Sequence, residues 1–189
     1  MSSTAWTVLI VVIVAIVALT LATALSLRPR MRSRRLRDRF GPEYDRTVQQ
    51  AENRRIAEQQ LTDREKRHDE LDLRELSAEE THRYQAAWAQ VQAQFIDDPA
   101  GALDAADRLV TQAMTDRGYP SESYDQQLAD LSVEHARPLS RFRSAHDIAA
   151  RADHGDVSTE EMRSAIVDYR ELFVDLVDAG RSGKAGTGK

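Results

Sequence analysis

Residues Ser77 to Phe95 read SAEETHRYQAAWAQVQAQF, and this stretch decides the fold. Ser77 followed by Glu80 has the form of a capping box, in which each side chain reaches the other residue's backbone N–H at a helix start. Tyr84, Trp88, Val91 and Phe95 then recur at four-three-four spacing, which places them on one face of a helix. A strand needs alternation instead, and no alternating β-branched run occurs after residue 27. The chain is therefore read as all-α, with Trp88 and Phe95 facing a core.

The segments that follow carry the same signals. Asp98-Pro99 is an N-cap with a first-turn proline, and Leu103, Ala106, Leu109, Val110, Ala113 and Met114 form the next stripe, which Gly118 ends. A shorter helix opens near Ser121 or Ser123 with Tyr124, Leu128 and Leu131 inward. Pro138 starts another, with Leu139, Phe142, Ala145 and Ala149 inward, that fades at Asp153-His154-Gly155-Asp156. Ser158 with Glu161 is a second capping box, opening a helix striped by Met162, Ile166, Tyr169, Phe173 and Leu176 and closed by Gly180. Short loops between helices of similar length predict a bundle of about five amphipathic helices over residues 77–179, with Trp88, Phe95, Phe142, Tyr169 and Phe173 in its core.

Toward the N-terminus the pattern changes. Residues 43–76 hold good helix formers, but Tyr44, Val48, Ile56 and Leu61 keep no steady stripe, which reads as a polar spacer helix supported by the pairs Arg54/Glu58, Asp63/Arg67, Lys66/Glu70 and Glu70/Arg74. Phe40-Gly41-Pro42 is a breaker that predicts a hinge. Before it, Arg28, Arg30, Arg32, Arg34, Arg35, Arg37 and Arg39 stand against the single acid Asp38. Trp6 to Leu27, 22 residues, carry no charge, and at about 1.5 Å per residue a helix of that length reaches about 33 Å, the depth of a hydrocarbon core. A transmembrane helix is expected over residues 4–27 and a basic juxtamembrane collar and hinge over 28–42.

Arginines on the C-terminal flank of an apolar segment are retained on the cytoplasmic side, so the N-terminus is expected outside and the helical domain in the cytoplasm. The seven collar arginines are the expected contacts to anionic lipid. The alternative is export, because Ala22-Thr23-Ala24 has the small-x-small form of a signal-peptidase site. Against it, Met1 to Thr7 carries no Lys or Arg and the apolar run is longer than a signal's core. Ala18, Ala22 and Ser26 make a small-xxx-small face suited to helix pairing.

Charge narrows the partners. Of the formal net charge of −5 the collar contributes +6, leaving −11 for residues 40–189, an acidic body unsuited to nucleic acid. With no cysteine there is no disulfide framework and no thiolate ligand or nucleophile. The tail Gly183 to Lys189 imitates part of a phosphate loop but lacks the following Ser/Thr and the strand before it, so it is read as a disordered tail over 180–189. Glu79-x-x-His82 is a single metal-type pair where a di-metal bundle needs two, and His68, His135 and His154 fall in no ligand spacing. Ser140, Ser144, His135, His146 and Asp147 are triad residue types without a nucleophile elbow. Arg137, Arg141, Arg143 and Arg151 form the body's one basic stretch, read as a solvated face, the alternative being a bidentate contact to an anion or an acidic partner.

Five segments together carry a resemblance: RFGPEYDR at 39–46, LDLREL at 71–76, WAQVQAQF at 88–95, RGYP at 117–120 and DLSV at 130–133. They resemble a family of uncharacterised, chiefly actinobacterial proteins described only as membrane or secreted. The resemblance covers about residues 39–178 and implies no activity, ligand or catalytic residue. The functional expectation is a membrane-anchored protein-interaction or scaffold module, not an enzyme, with no cofactor and no metal. Its expected partners are the bilayer and another protein or itself, with no nucleic acid and no small-molecule substrate. An envelope-exported domain is the alternative, and an enzyme with an unrecognised site the less favoured one.

Overall fold

In the computed structural model the described residues are 31–120, 123–152 and 155–182, the last four through their backbone, together with Trp6, Val12, Ile13, Ala15, Ile16 and Leu19. The described part is all-α, with no strand. Helix α1 occupies residues 31–40, followed by α2 (Pro42–Gln50), α3 (Arg54–Asp69), α4 (Ala78–Asp97), α5 (Pro99–Asp116), α6 (Tyr124–Leu131), α7 (Ala136–Ala152) and α8 (Thr159–Ser182). No helix among the described residues is long and apolar enough to cross a membrane. The segment 4–27 lies outside them except for the six residues named, which are helical, and so do Arg28, Arg30 and the pairing face Ala18, Ala22 and Ser26.

Local chemistry sets the helix ends. At the start of α4 the Glu80 N–H donates to Ser77 Oγ at 3.2 Å and the Ser77 N–H to Glu80 Oε2 at 2.8 Å, closing the capping box. Ser158 and Glu161 do the same for α8. Asp98 caps α5 ahead of Pro99, and Ser123, rather than Ser121, caps α6. The end of α5 is a Schellman turn: the Gly118 N–H reaches Thr115 O at 2.9 Å and the Tyr119 N–H reaches Met114 O at 3.1 Å, with Gly118 at φ 97°. Helix α8 runs through Gly180 to Ser182, past its expected end, because a glycine weakens a helix by about 1 kcal/mol without breaking it. Residues 183–189 lie outside the described residues.

Helix α8 packs on α4, α5 and α7. Trp88, Phe142, Tyr169 and Phe173 are buried in the principal core, with Trp88 stacked on Phe173 at 4.7 Å between ring centroids. Phe95 is only half-buried, near the end of α4.

The spacer helix expected over 43–76 is not one helix. Its first part is α2, the chain turns at residues 51–53, and α3 restarts on Asn53, whose side chain accepts the Ile56 N–H at 3.1 Å. Residues 72–77 belong to no helix, with Leu71, Leu73 and Leu76 packed on the principal core and the Arg74 N–H bonded to Arg117 O at 2.9 Å. The hinge is likewise a packed corner: Gly41, at φ 47°, turns the chain between α1 and α2 while Phe40 and Tyr44 are buried with Leu36, Leu61 and Val133 in a second small core. A layer of α1, α2 and α3 thus lies against α6 and α7.

Candidate functional site

The inward face of α3 explains both the layer and the misreading. It carries Ala57, Glu58, Leu61, Glu65 and His68, a helical stripe in which two positions are carboxylates. A buried carboxylate is stable only when paired and hydrogen-bonded. Glu65 takes Arg35 at 3.1 Å and Arg39 at 3.2 Å. Glu58 Oε1 accepts from Ser33 Oγ at 2.6 Å, Tyr44 Oη at 2.9 Å and Arg54 Nε at 2.9 Å. Burial alone raises the Glu58 carboxyl, but the bonds from Ser33, Tyr44 and Arg54 outweigh it and hold the group below the usual carboxylate range. The same contacts, Glu58 foremost, raise the Arg54 guanidinium and keep it cationic.

The seven collar arginines therefore divide. Arg28 and Arg30 lie outside the described residues. Arg35 and Arg39 are turned to Glu65, and Arg32 donates to Glu58 O at 3.2 Å and Thr62 Oγ1 at 2.8 Å. Arg37 pairs with exposed Asp45 at 3.1 Å and lies over the Tyr44 ring at 4.9 Å. Arg34 is exposed and has no carboxylate partner among the described residues.

Arg34 and Arg37 open onto a cleft of about 640 Å³. Ser33, Arg34, Arg37 and Asp38 line it from α1, and Arg54, Arg55 and Glu58 line it from the first two turns of α3. Arg54 and Arg55 were not among the expected site residues. The signal that could have found them is the Asn53 cap directly before two arginines, which puts both at the positive end of a helix. Of the four expected spacer ion pairs only Arg54/Glu58 forms; Arg67 turns to buried Asp130 at 2.9 Å, Lys66 to Asp63 and Arg74 to Glu80.

The other candidate groups are held apart. His146 Nδ1 lies 2.8 Å from Asp107, not Asp147, and Tyr169 Oη donates to the same carboxylate at 2.9 Å while Tyr124 stacks on the imidazole at 4.4 Å. Burial, then the Asp107 charge, pushes both tyrosines up. His135 Nδ1 lies 2.6 Å from Asp175. These are two histidine–carboxylate pairs, and among the described residues no serine hydroxyl bonds either imidazole: Ser140 donates to Arg137 O. No group of three metal-ligating side chains occurs among the described residues, and Glu79 and His82 sit on the exposed face of α4. The basic stretch on α7 separates as well, Arg143 going to buried Glu43 at 3.1 Å and Arg141 to Glu171 at 2.6 Å. A second cleft, of about 520 Å³, faces Asp38, Glu134, Glu171 and Asp175 against Arg39 and Arg137, the wrong balance for an anion.

No family profile, no curated protein and no solved structure significantly matches the chain.

Proposed function

We propose that this protein is a single-pass, membrane-anchored helical module that holds a folded interaction surface against the cytoplasmic face of the bilayer, with no chemistry of its own. The observation that carries the reading is the succession of an uncharged 22-residue segment and a helix, α1, that presents arginines. Within the segment Trp6, Val12, Ile13, Ile16 and Leu19 are helical and 48–67% exposed, an apolar exposure that lipid would cover. Because α1 is packed into the fold, an anchor leading into it would hold the bundle at the surface rather than on a loose tether.

A surface for a protein partner is supported by Val167 and Val174, seven residues apart on α8 and both exposed, Val174 lining a cleft with Arg170 and Gln85. Protease added to intact protoplasts tests the orientation. The domain after Arg39 should survive until the membrane is breached, and the full chain should stay in the pellet on alkaline carbonate extraction. Digestion from outside, or a mature N-terminus at Leu25, would replace the reading with export after cleavage at Ala22-Thr23-Ala24.

A further inference from the structure

We propose that the cleft between α1 and the start of α3 is a binding site for the phosphate of an anionic lipid headgroup, held by Arg34, Arg37, Arg54 and Arg55; this assignment rests on the membrane reading above. The charge balance of the cleft is the first argument. Of its two carboxylates, Glu58 is buried and already accepts three hydrogen bonds, so it offers little to a ligand. Asp38 remains, against Arg34 and Arg55, neither of which has a carboxylate partner among the described residues. Arg37 shares its charge only with Asp45 in a pair where both side chains are 59% exposed, the kind that holds weakly in water and yields to a better anion.

Preorganisation is the second. Arg54 is fixed through Nε by Glu58 and Tyr44, and its two terminal nitrogens make no hydrogen bond among the described residues, so a planar fork is left for a phosphate. Asn53 satisfies the Ile56 N–H and leaves Arg54 and Arg55, both lining the cleft, at the positive end of a 16-residue helix. Position along the chain is the third. Arg34 follows Leu27, the last residue of the uncharged segment, by only seven residues, which keeps it near the headgroup layer of a bilayer that holds that segment. A lipid phosphate is therefore the nearest anion in abundance.

The test uses the full chain in nonionic detergent micelles, titrated calorimetrically with dihexanoyl phosphatidylglycerol, with dihexanoyl phosphatidylcholine and, separately, with inorganic phosphate. Phosphatidylglycerol should saturate at one molecule per chain and bind at least tenfold more tightly than phosphatidylcholine. The double variant Arg34→Gln/Arg55→Gln should weaken it tenfold or more, whereas Arg137→Gln/Arg151→Gln, with the same loss of charge elsewhere, should change it less than twofold. Neither arginine of the first variant has a carboxylate partner among the described residues, so its melting temperature should match wild type. Equal weakening by the two double variants, no preference over phosphatidylcholine, or inorganic phosphate binding as tightly as the lipid would each overturn the assignment. Failure of the membrane reading would show separately, as release of the chain by carbonate.

Discussion

Truncating Trp88 to alanine removes the largest side chain on the face that joins α4 to α8. The indole is 5% exposed, lies on Phe173 at an interplanar angle of 22°, and Phe173 in turn meets the edge of Tyr84 at 6.4 Å. Buried Trp→Ala changes cost about 3–5 kcal/mol, combining lost transfer energy with the cavity left behind. The stacked pair accounts for about 0.5–1.5 kcal/mol of that. For a domain of this size each kcal/mol moves the melting temperature by about 2–4 °C, so Trp88→Ala should lower it by roughly 6–20 °C. Phenylalanine at the same position is the informative control. Indole Nε1 is buried without a hydrogen-bond partner, and leaving such a donor unsatisfied costs about 1–3 kcal/mol, so Trp88→Phe recovers part of what the smaller ring loses and should stay within about 1.5 kcal/mol of wild type. Far-ultraviolet circular dichroism of the full chain in nonionic detergent reads both variants. A melt of Trp88→Ala within 2 °C of wild type, or equal losses for alanine and phenylalanine, would refute the packing argument.

Gly118 and Gly155 both have left-handed backbones, at φ 97° and 77°, but a Cβ on Gly118 would meet the Asp72 carbonyl oxygen at 2.6 Å whereas one on Gly155 meets nothing within 4 Å. Gly118→Ala should therefore lower the melting temperature by several degrees more than Gly155→Ala, and equal effects would show that the strap at residues 72–77 yields freely. Arg74, then Ser77, holds the Glu80 carboxyl at about 2, well below its ordinary 4.5. A depressed carboxylate stabilises the fold above the unfolded value and loses that contribution as pH falls through the folded one. Glu80→Gln should thus melt below wild type at pH 7, with the gap closing between about pH 4.5 and pH 2; a gap independent of pH would mean that packing, not charge, sets it.

What was legible in the chain follows from which interactions have a local signature. Capping boxes at Ser77 and Ser158, the Asp98-Pro99 start and the Gly118 stop are decided within a few residues, and each forms as the spacing requires. The stripes of α4, α5 and α8 are legible because, Thr81 apart, their inward positions are apolar. Residues 43–76 were not, since an apolar count skips Glu43, Glu58 and Glu65, the side chains that face inward there. The local pair Arg54/Glu58 reads equally well as a surface ion pair, and it is the long-range partners Arg143, Ser33, Arg35 and Arg39, which nothing within a helix turn announces, that complete the pairing of the buried acids. The basic cleft was half legible for the same reason: its α1 arginines sit in an obvious run, while Arg54 and Arg55 join them only through the corner at Gly41 and the turn at 51–53.

The paired acids also change what a run of arginines means. Glu43, Glu65 and Asp130 are at most 5% exposed, and their arginine partners Arg143, Arg35, Arg39 and Arg67 are 20–69% exposed, so each acid is sealed inside while its cation reaches in from the surface. Losing its arginine would strand the charge of a buried acid, so these arginines are held by the fold in a way that the exposed Arg37–Asp45 pair is not. A collar that sequence alone presents as seven equivalent arginines is structurally unequal among its five described members. Arg35 and Arg39 lock α1 to α3 and Arg32 ties α1 to the α3 backbone, so of the described collar arginines Arg34 and Arg37, with Arg54 and Arg55 across the cleft, are the ones open to the proposed headgroup.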